Sequence, residues 1–218
     1  MKLTLSFDNG PDDRVTPQIL DVLRARGALA HFYVLGKFVA TPSGKRLVER
    51  EIAEGHLVGN HSFHHETPLG DDPRADAVAQ EIVATQALLD PLLGDHPPRL
   101  FRPFGGGGLL GPHLLSPAAV AHLRAERYTC VLWNAVPRDW VDRDTWPTRA
   151  LASLALLDHT VLVLHDVPGA CLDALDSFLG AAADKGATFV LDLPPSCTPI
   201  LAGDVTTDLA PLVRGGVA

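Results

Sequence analysis

Three aspartates, an arginine and several histidines of this chain stand at or shortly beyond the ends of apolar runs. Leu3-Thr4-Leu5-Ser6-Phe7 leads into Asp8, and Leu57-Val58-Gly59-Asn60 into His61-Ser62-Phe63-His64-His65. Leu100-Phe101 leads into Arg102, Val131-Leu132-Trp133 is followed by Asp139-Trp140, and Thr160-Val161-Leu162-Val163-Leu164 ends at His165-Asp166. Each residue type brings a particular chemistry. A carboxylate such as Asp8 can take a proton from water as a general base. Placed before Asn9-Gly10-Pro11, it can also be ordinary turn chemistry. His61 and His65 are four apart, and two neutral imidazoles with a third ligand and an open water position make a catalytic zinc site. The competing reading is a polar histidine-rich loop. Arg102 beside a carboxylate would lower its pKa and fix its orientation, or serve only as a structural ion pair. His165 would act as a general acid if a carboxylate such as Asp139 held it; otherwise it caps a strand end. Trp133 and Trp140 suit the wall of a sugar pocket and equally suit a plain core.

Such residues meet only if the apolar runs are strands sharing one end. Strands are expected near 2–8, 28–35, 56–61, 99–102, 128–134, 160–165 and 187–192. Between them lie six helices with readable signals. Thr16-Pro17 opens the first, with Val15, Ile19, Val22 and Leu23 inward and Gly27 at its end. Ser43 caps the second, with Leu47, Val48 and Ile52 inward. Asp72-Pro73 opens the third, with Val78, Ile82 and Leu89 on one face. Ser116-Pro117 opens the fourth, Thr145-Trp146-Pro147 the fifth, and Leu172 to Phe178 lie within the sixth. Alternating strands and helices imply an α/β fold with a parallel, helix-covered sheet, its strands buried on both faces. A doubly wound sheet fits the count, but no Gly-x-Gly-x-x-Gly follows the first strand. A distorted or incomplete (β/α) barrel of about seven parallel strands is therefore expected, with its site at the carboxyl ends of the strands. Residues 1–192 would form the catalytic domain. Residues 193–218 would be a mostly irregular wrap of the same domain, with a short helix around Leu209 to Val213.

The totals narrow the function. A chain of 218 residues that is 46% hydrophobic can build its core without metal or disulfide. A net charge of −8 disfavours nucleic acid or an acidic membrane surface as partner. No apolar run is long enough for a membrane span. The N-terminus lacks the features of a signal peptide, so a cytoplasmic location is expected. The cysteines Cys130, Cys171 and Cys197 have no zinc-type spacing. His31, His56, His96, His113, His122 and His159 are expected to be structural.

Taken in order, these residues resemble five motifs of the polysaccharide deacetylases, carbohydrate esterase family 4, across residues 5–166. Ser6-Phe7-Asp8-Asn9-Gly10-Pro11 is similar to T-F-D-D-G-P, and His61-Ser62-Phe63-His64-His65 to H-[ST]-x-x-H. Phe101-Arg102-Pro103-Phe104-Gly105 is similar to F-R-P-P-[YG], Arg138-Asp139-Trp140 to the end of D-x-x-D-W, and Leu162 to Asp166 to L-x-L-H-D. The resemblance implies hydrolysis of an N-acetyl amide on a carbohydrate. Asp8 would be the base, His165 the acid, Arg102 the support of Asp8 and Asp139 the support of His165. Zinc or another divalent metal would be held by His61, His65 and, weakly, Asn9. Backbone N–H groups near Phe104 or Gly105 would help stabilise the oxyanion. Two positions depart from the family pattern. Asn9 replaces a metal-binding carboxylate, and Val136 replaces the first Asp of D-x-x-D-W. These departures open two other readings: a metal-free hydrolase of a small amide or ureide, and an inactive relative that only binds a sugar or a partner.

Overall fold

The computed structural model describes residues 1–94 and 98–216, so His96 lies outside the described residues. β1 (Lys2–Asp8) shows why the chain starts as it does. Strand side chains alternate between faces. Leu3, Leu5 and Phe7 enter the main hydrophobic core, while Thr4, Ser6 and Asp8 take the opposite face, also buried. The remaining parallel strands are β2 (Ala30–Val34), β3 (Leu57–Asn60), β4 (Leu100–Phe101), β5 (Thr129–Cys130), β6 (His159–His165) and β7 (Thr188–Phe189). All seven expected strands form, several of them shorter than expected.

The sheet order is β6-β1-β2-β3-β4-β5, with β7 pairing the first residues of β1. Sequential neighbours without a reversal are the mark of a barrel rather than a doubly wound sheet. Past β5, Ala135 bridges Leu162 of β6 in parallel, so the curled sheet nearly closes on itself. The C-terminal segment differs from expectation. Residues 200–205 form an antiparallel hairpin, β8 (Ile200–Leu201) and β9 (Asp204–Val205), and β8 pairs with β5. Ala202 and Gly203 both have positive φ, as the tight turns that match strand twist require. A short 3-10 turn over Ala210–Leu212 stands where the short helix was expected.

The helices are α1 (Thr16–Arg26), α2 (Gly36–Val39), α3 (Pro42–Ala53), α4 (Ala84–Leu93), α5 (Pro117–Ala125), α6 (Trp146–Leu156) and α7 (Leu172–Asp184). Gly27 ends α1 in the left-handed conformation and Ser116 caps α5, as expected. Three starts differ. Thr16 does not cap α1: its hydroxyl donates to Asp166 Oδ2 (2.6 Å), and Asp12 Oδ1 takes the N–H groups of Arg14 and Val15. Thr41 rather than Ser43 caps α3, which leaves Pro42 at the first helical position. Asp72 closes a turn onto Arg74 N (3.0 Å), so the helix begins later, at Ala77, and passes through a π-helical turn (Ala79–Val83) into α4. The four-residue α2 has no counterpart in the sequence reading. Cys130, Cys171 and Cys197 are free and buried. No helix among the described residues is long and apolar enough to cross a membrane.

Candidate active site

Strand register brings the two candidate proton-transfer groups together. Asp8 ends β1 and His165 ends β6, and the two are paired across the parallel ladder, one strand spacing of about 4.8 Å apart. Both line a cavity of about 260 Å³ at the carboxyl ends of the strands, together with Asn9, His61 and His65. Arg102 follows β4 and is wholly buried. Its Nη1 donates to Asp8 Oδ1 (2.8 Å) and to Ser6 Oγ (2.6 Å). The Ser6 hydroxyl in turn donates to Leu162 O (2.7 Å). Tyr33 stacks beneath the guanidinium, its ring centroid 4.0 Å from Cζ, a favourable cation–π contact. Burial works to raise the Asp8 pKa. The charge of Arg102, aided by that of His165, overcomes it and holds the carboxyl below its ordinary value. Asp8 is therefore an anion ready to accept a proton.

His165 has the opposite bias. Burial works to lower its pKa, but the hydrogen bond and charge of Asp139, then the charges of Asp8 and Asp166, raise it above the ordinary value. Asp139 is fully buried and accepts from both His165 Nδ1 (2.8 Å) and His165 N (2.9 Å). That pair fixes the ring and leaves Nε2 to carry the transferable proton. Trp140 meets the imidazole edge-on at 4.7 Å and is partly exposed at the rim.

His61 Nδ1 donates to Arg102 O (2.8 Å), which leaves Nε2 as the ring's lone-pair nitrogen. That atom lies 3.7 Å from Asp8 Oδ2. Burial lowers the pKa of His61 and brings that of His65 down to about 3. Both imidazoles are neutral, as metal ligands must be. Asn9 adopts a left-handed backbone (φ 78°) that Asn tolerates well. Its buried Oδ1 has no hydrogen-bond partner among the described residues, and such an orphan calls for an ion or water. Two neutral imidazoles and an unpaired amide oxygen on one cavity fit a divalent metal, with one negative charge fewer than an Asp would supply. Among the described residues no group of three His, Cys, Asp or Glu forms a metal set, so the third protein donor would be Asn9.

The expected wall residues are all in place. Phe104, Gly105, Trp133 and Trp140 line the cavity, and Val136, Val163 and Val167 add apolar surface. Trp133 Nε1 donates to Gly108 O (2.9 Å), tying the glycine loop down. A Cβ on Gly105 would come within 2.5 Å of the Trp133 ring, so only glycine fits there. Among the described residues, neither Phe104 N–H nor Gly105 N–H is taken by a backbone carbonyl. His31 is structural, as expected, with Nε2 donating to Leu191 O (2.9 Å). Ser6 and Tyr33 were missed in the sequence. The alternation Thr4-Ser6-Asp8 is the signal that would have found Ser6.

Comparison with known proteins agrees with this geometry. A family model for polysaccharide deacetylases matches residues 1–109. The chain is 29% identical over 191 residues to a peptidoglycan-N-acetylglucosamine deacetylase of Listeria monocytogenes, which aligns 87% of this chain with 37% of that protein. It thus spans little more than a third of that relative. It is 31% identical over 175 residues to a chitooligosaccharide deacetylase of Bradyrhizobium sp., covering 78% of this chain and 75% of that one. A family 4 acetyl xylan esterase from Clostridium thermocellum, solved in complex with a cobalt ion, superimposes with a TM-score of 0.69 at 28% identity over 87% of each chain.

Proposed function

This chain belongs to the polysaccharide deacetylase family, and from that premise we propose that it hydrolyses the N-acetyl amide of an amino sugar or oligosaccharide, releasing acetate and a free amine. One observation carries the proposal: Asp8 and His165 lie opposite each other on paired strands, biased to opposite protonation states. Asp8 accepts a proton from the water that attacks the amide carbonyl carbon. His165 gives its Nε2 proton to the amide nitrogen as the C–N bond breaks, so the amine leaves neutral. Arg102 keeps Asp8 ionised and aimed, and Asp139 keeps His165 charged and oriented. Trp140 and Trp133 offer flat faces to the sugar ring. Zinc, or a divalent ion of similar preference, would be held by His61, His65 and Asn9, where it would polarise the carbonyl and lower the pKa of water.

A metal-free amide hydrolase has the neutral Asn9 in its favour, but it leaves the buried Asn9 Oδ1 without a role. An inactive binder would have no use for the complete set of Asp8, Arg102, Asp139 and His165. A substrate comparison tests the proposal: N-acetylglucosamine oligomers against a panel of small amides and ureides. Acetate from the oligomers is expected. Turnover confined to the small amides would overturn it. Replacing His165 with Ala should cut kcat about 10²- to 10⁴-fold, the usual worth of a positioned acid.

A further inference from the structure

His64 lies between the two metal-type histidines, yet it belongs to a different network. Its Nδ1 hydrogen-bonds to Glu81 Oε1 (2.9 Å). The other oxygen of that carboxylate, Oε2, accepts two backbone donors of the same loop, Phe63 N (3.0 Å) and His64 N (2.9 Å). Arg74 Nη2 donates to Oε1 (2.8 Å) from the far side. Glu81 is almost fully buried and sits in the π-helical turn Ala79–Val83. Such bulges recur at functional sites because they re-aim a side chain that a regular helix would misplace.

The loop needs such a hold. Ser62 (φ 74°) and His65 (φ 58°) both have left-handed backbones without being glycine. That conformation persists only where the surroundings over-determine it. Every backbone polar group from Ser62 to His64 is engaged. Ser62 N donates to Asn60 Oδ1 (3.0 Å). Ser62 O and Phe63 O accept from Gly36 N (3.0 Å) and Lys37 N (3.1 Å) of α2. His64 O accepts from Lys37 Nζ (2.8 Å). Two of the three N–H groups in this set end on the one carboxylate of Glu81. Phe63 also packs against Gly36, where a Cβ would approach its ring to 2.4 Å.

We infer that Glu81 is the positioning residue of the metal site, clamping the 61–65 loop so that His61 and His65 present their rings to one cavity. The inference rests on the metal reading given above. The clamp is a carboxylate because two backbone N–H groups, an imidazole N–H and a guanidinium converge on it, and only an acceptor with two oxygens satisfies them all.

The test is a cobalt(II) titration of the wild type, Glu81→Gln and Glu81→Ala, followed by visible absorption. kcat and KM are measured on N-acetylglucosamine oligomers, and thermal melting checks folding. Glu81→Gln keeps the size and one acceptor oxygen, so it stays informative if Glu81→Ala fails to fold. Cobalt affinity is expected to fall about 10- to 100-fold, the usual effect of losing a group that orients a ligand, with kcat falling and KM unchanged. Wild-type affinity in both variants would overturn the inference and leave the metal reading intact. A wild type that takes up no cobalt removes the metal reading instead. The clamp is then judged on kcat: a fall in Glu81→Gln at unchanged KM supports it, and an unaltered kcat overturns it.

Discussion

Asp8 is bound into both the proposed chemistry and the stability of the molecule. Its carboxylate is the ionic partner of a fully buried arginine, so Asp8→Asn should do two things. Turnover should vanish, and denaturant unfolding should show a loss of about 3–5 kcal/mol, because Arg102 is left as an uncompensated buried charge. At Asp139 the expected effect is on pH. The raised pKa of His165 keeps the imidazolium present below that pKa and loses it as pH rises through it. Asp139→Asn removes the largest favourable contribution, so the alkaline limb of kcat should move to lower pH, and an unmoved limb would exclude His165 as the acid. Asn9→Asp restores a negative ligand and should tighten zinc by about tenfold or more, since ligand charge tunes metal affinity; calorimetry reads it. Asp8, Arg102 and His165 were legible in the sequence because each directly follows an apolar run. Ser6 and Tyr33 were not, because their functional partner Arg102 is remote in sequence from both. Glu81 stayed hidden for a different reason: its helix begins later than Asp72-Pro73 suggested and passes through a π turn that no 3.6-residue periodicity shows.

Short elements do most of the positioning here. The glycine run after β4 takes left-handed angles at Gly106, Gly107 and Gly108, which glycine adopts without strain. A Cβ at Gly108 would meet Val136 Cγ1 at 2.8 Å. Gly108→Ala should therefore push the loop off Trp133, raise KM for the oligomer and cost about 1 kcal/mol or more of stability; an unchanged KM would remove this loop from the sugar-binding wall. The long strands and capped helices could be read directly, β1 from its apolar run into Asp8 and α1 from Pro17 and Gly27. The hairpin of β8 and β9 could not, because its tight turn is Ala202-Gly203. Alanine in a left-handed position is not a turn signal, and the flanking strands are two residues each. The single-turn α2 escaped for the same reason of length, although its N–H groups hold the histidine loop.

At the scale of the whole molecule, a nearly closed parallel sheet lets five strand ends share one cavity. That architecture was legible from the alternation of strands and helices and from the missing dinucleotide fingerprint. Its closure was not, because the bridge between Ala135 and Leu162 lies in an irregular stretch beyond β5. The order of strands also explains why residues distant in the chain cooperate: β6 lies beside β1 although His165 comes 157 residues after Asp8. The resulting site joins the proposed base, the proposed acid and a neutral donor set around a cavity walled by aromatic rings. The most direct test is the joint time course of acetate and free amine from N-acetylglucosamine oligomers, using zinc-loaded wild type and Asp8→Asn. The account predicts equal amounts of both products from the wild type and neither from the variant. Oligomers left intact by the zinc-loaded wild type, or deacetylated equally well by Asp8→Asn, would contradict it.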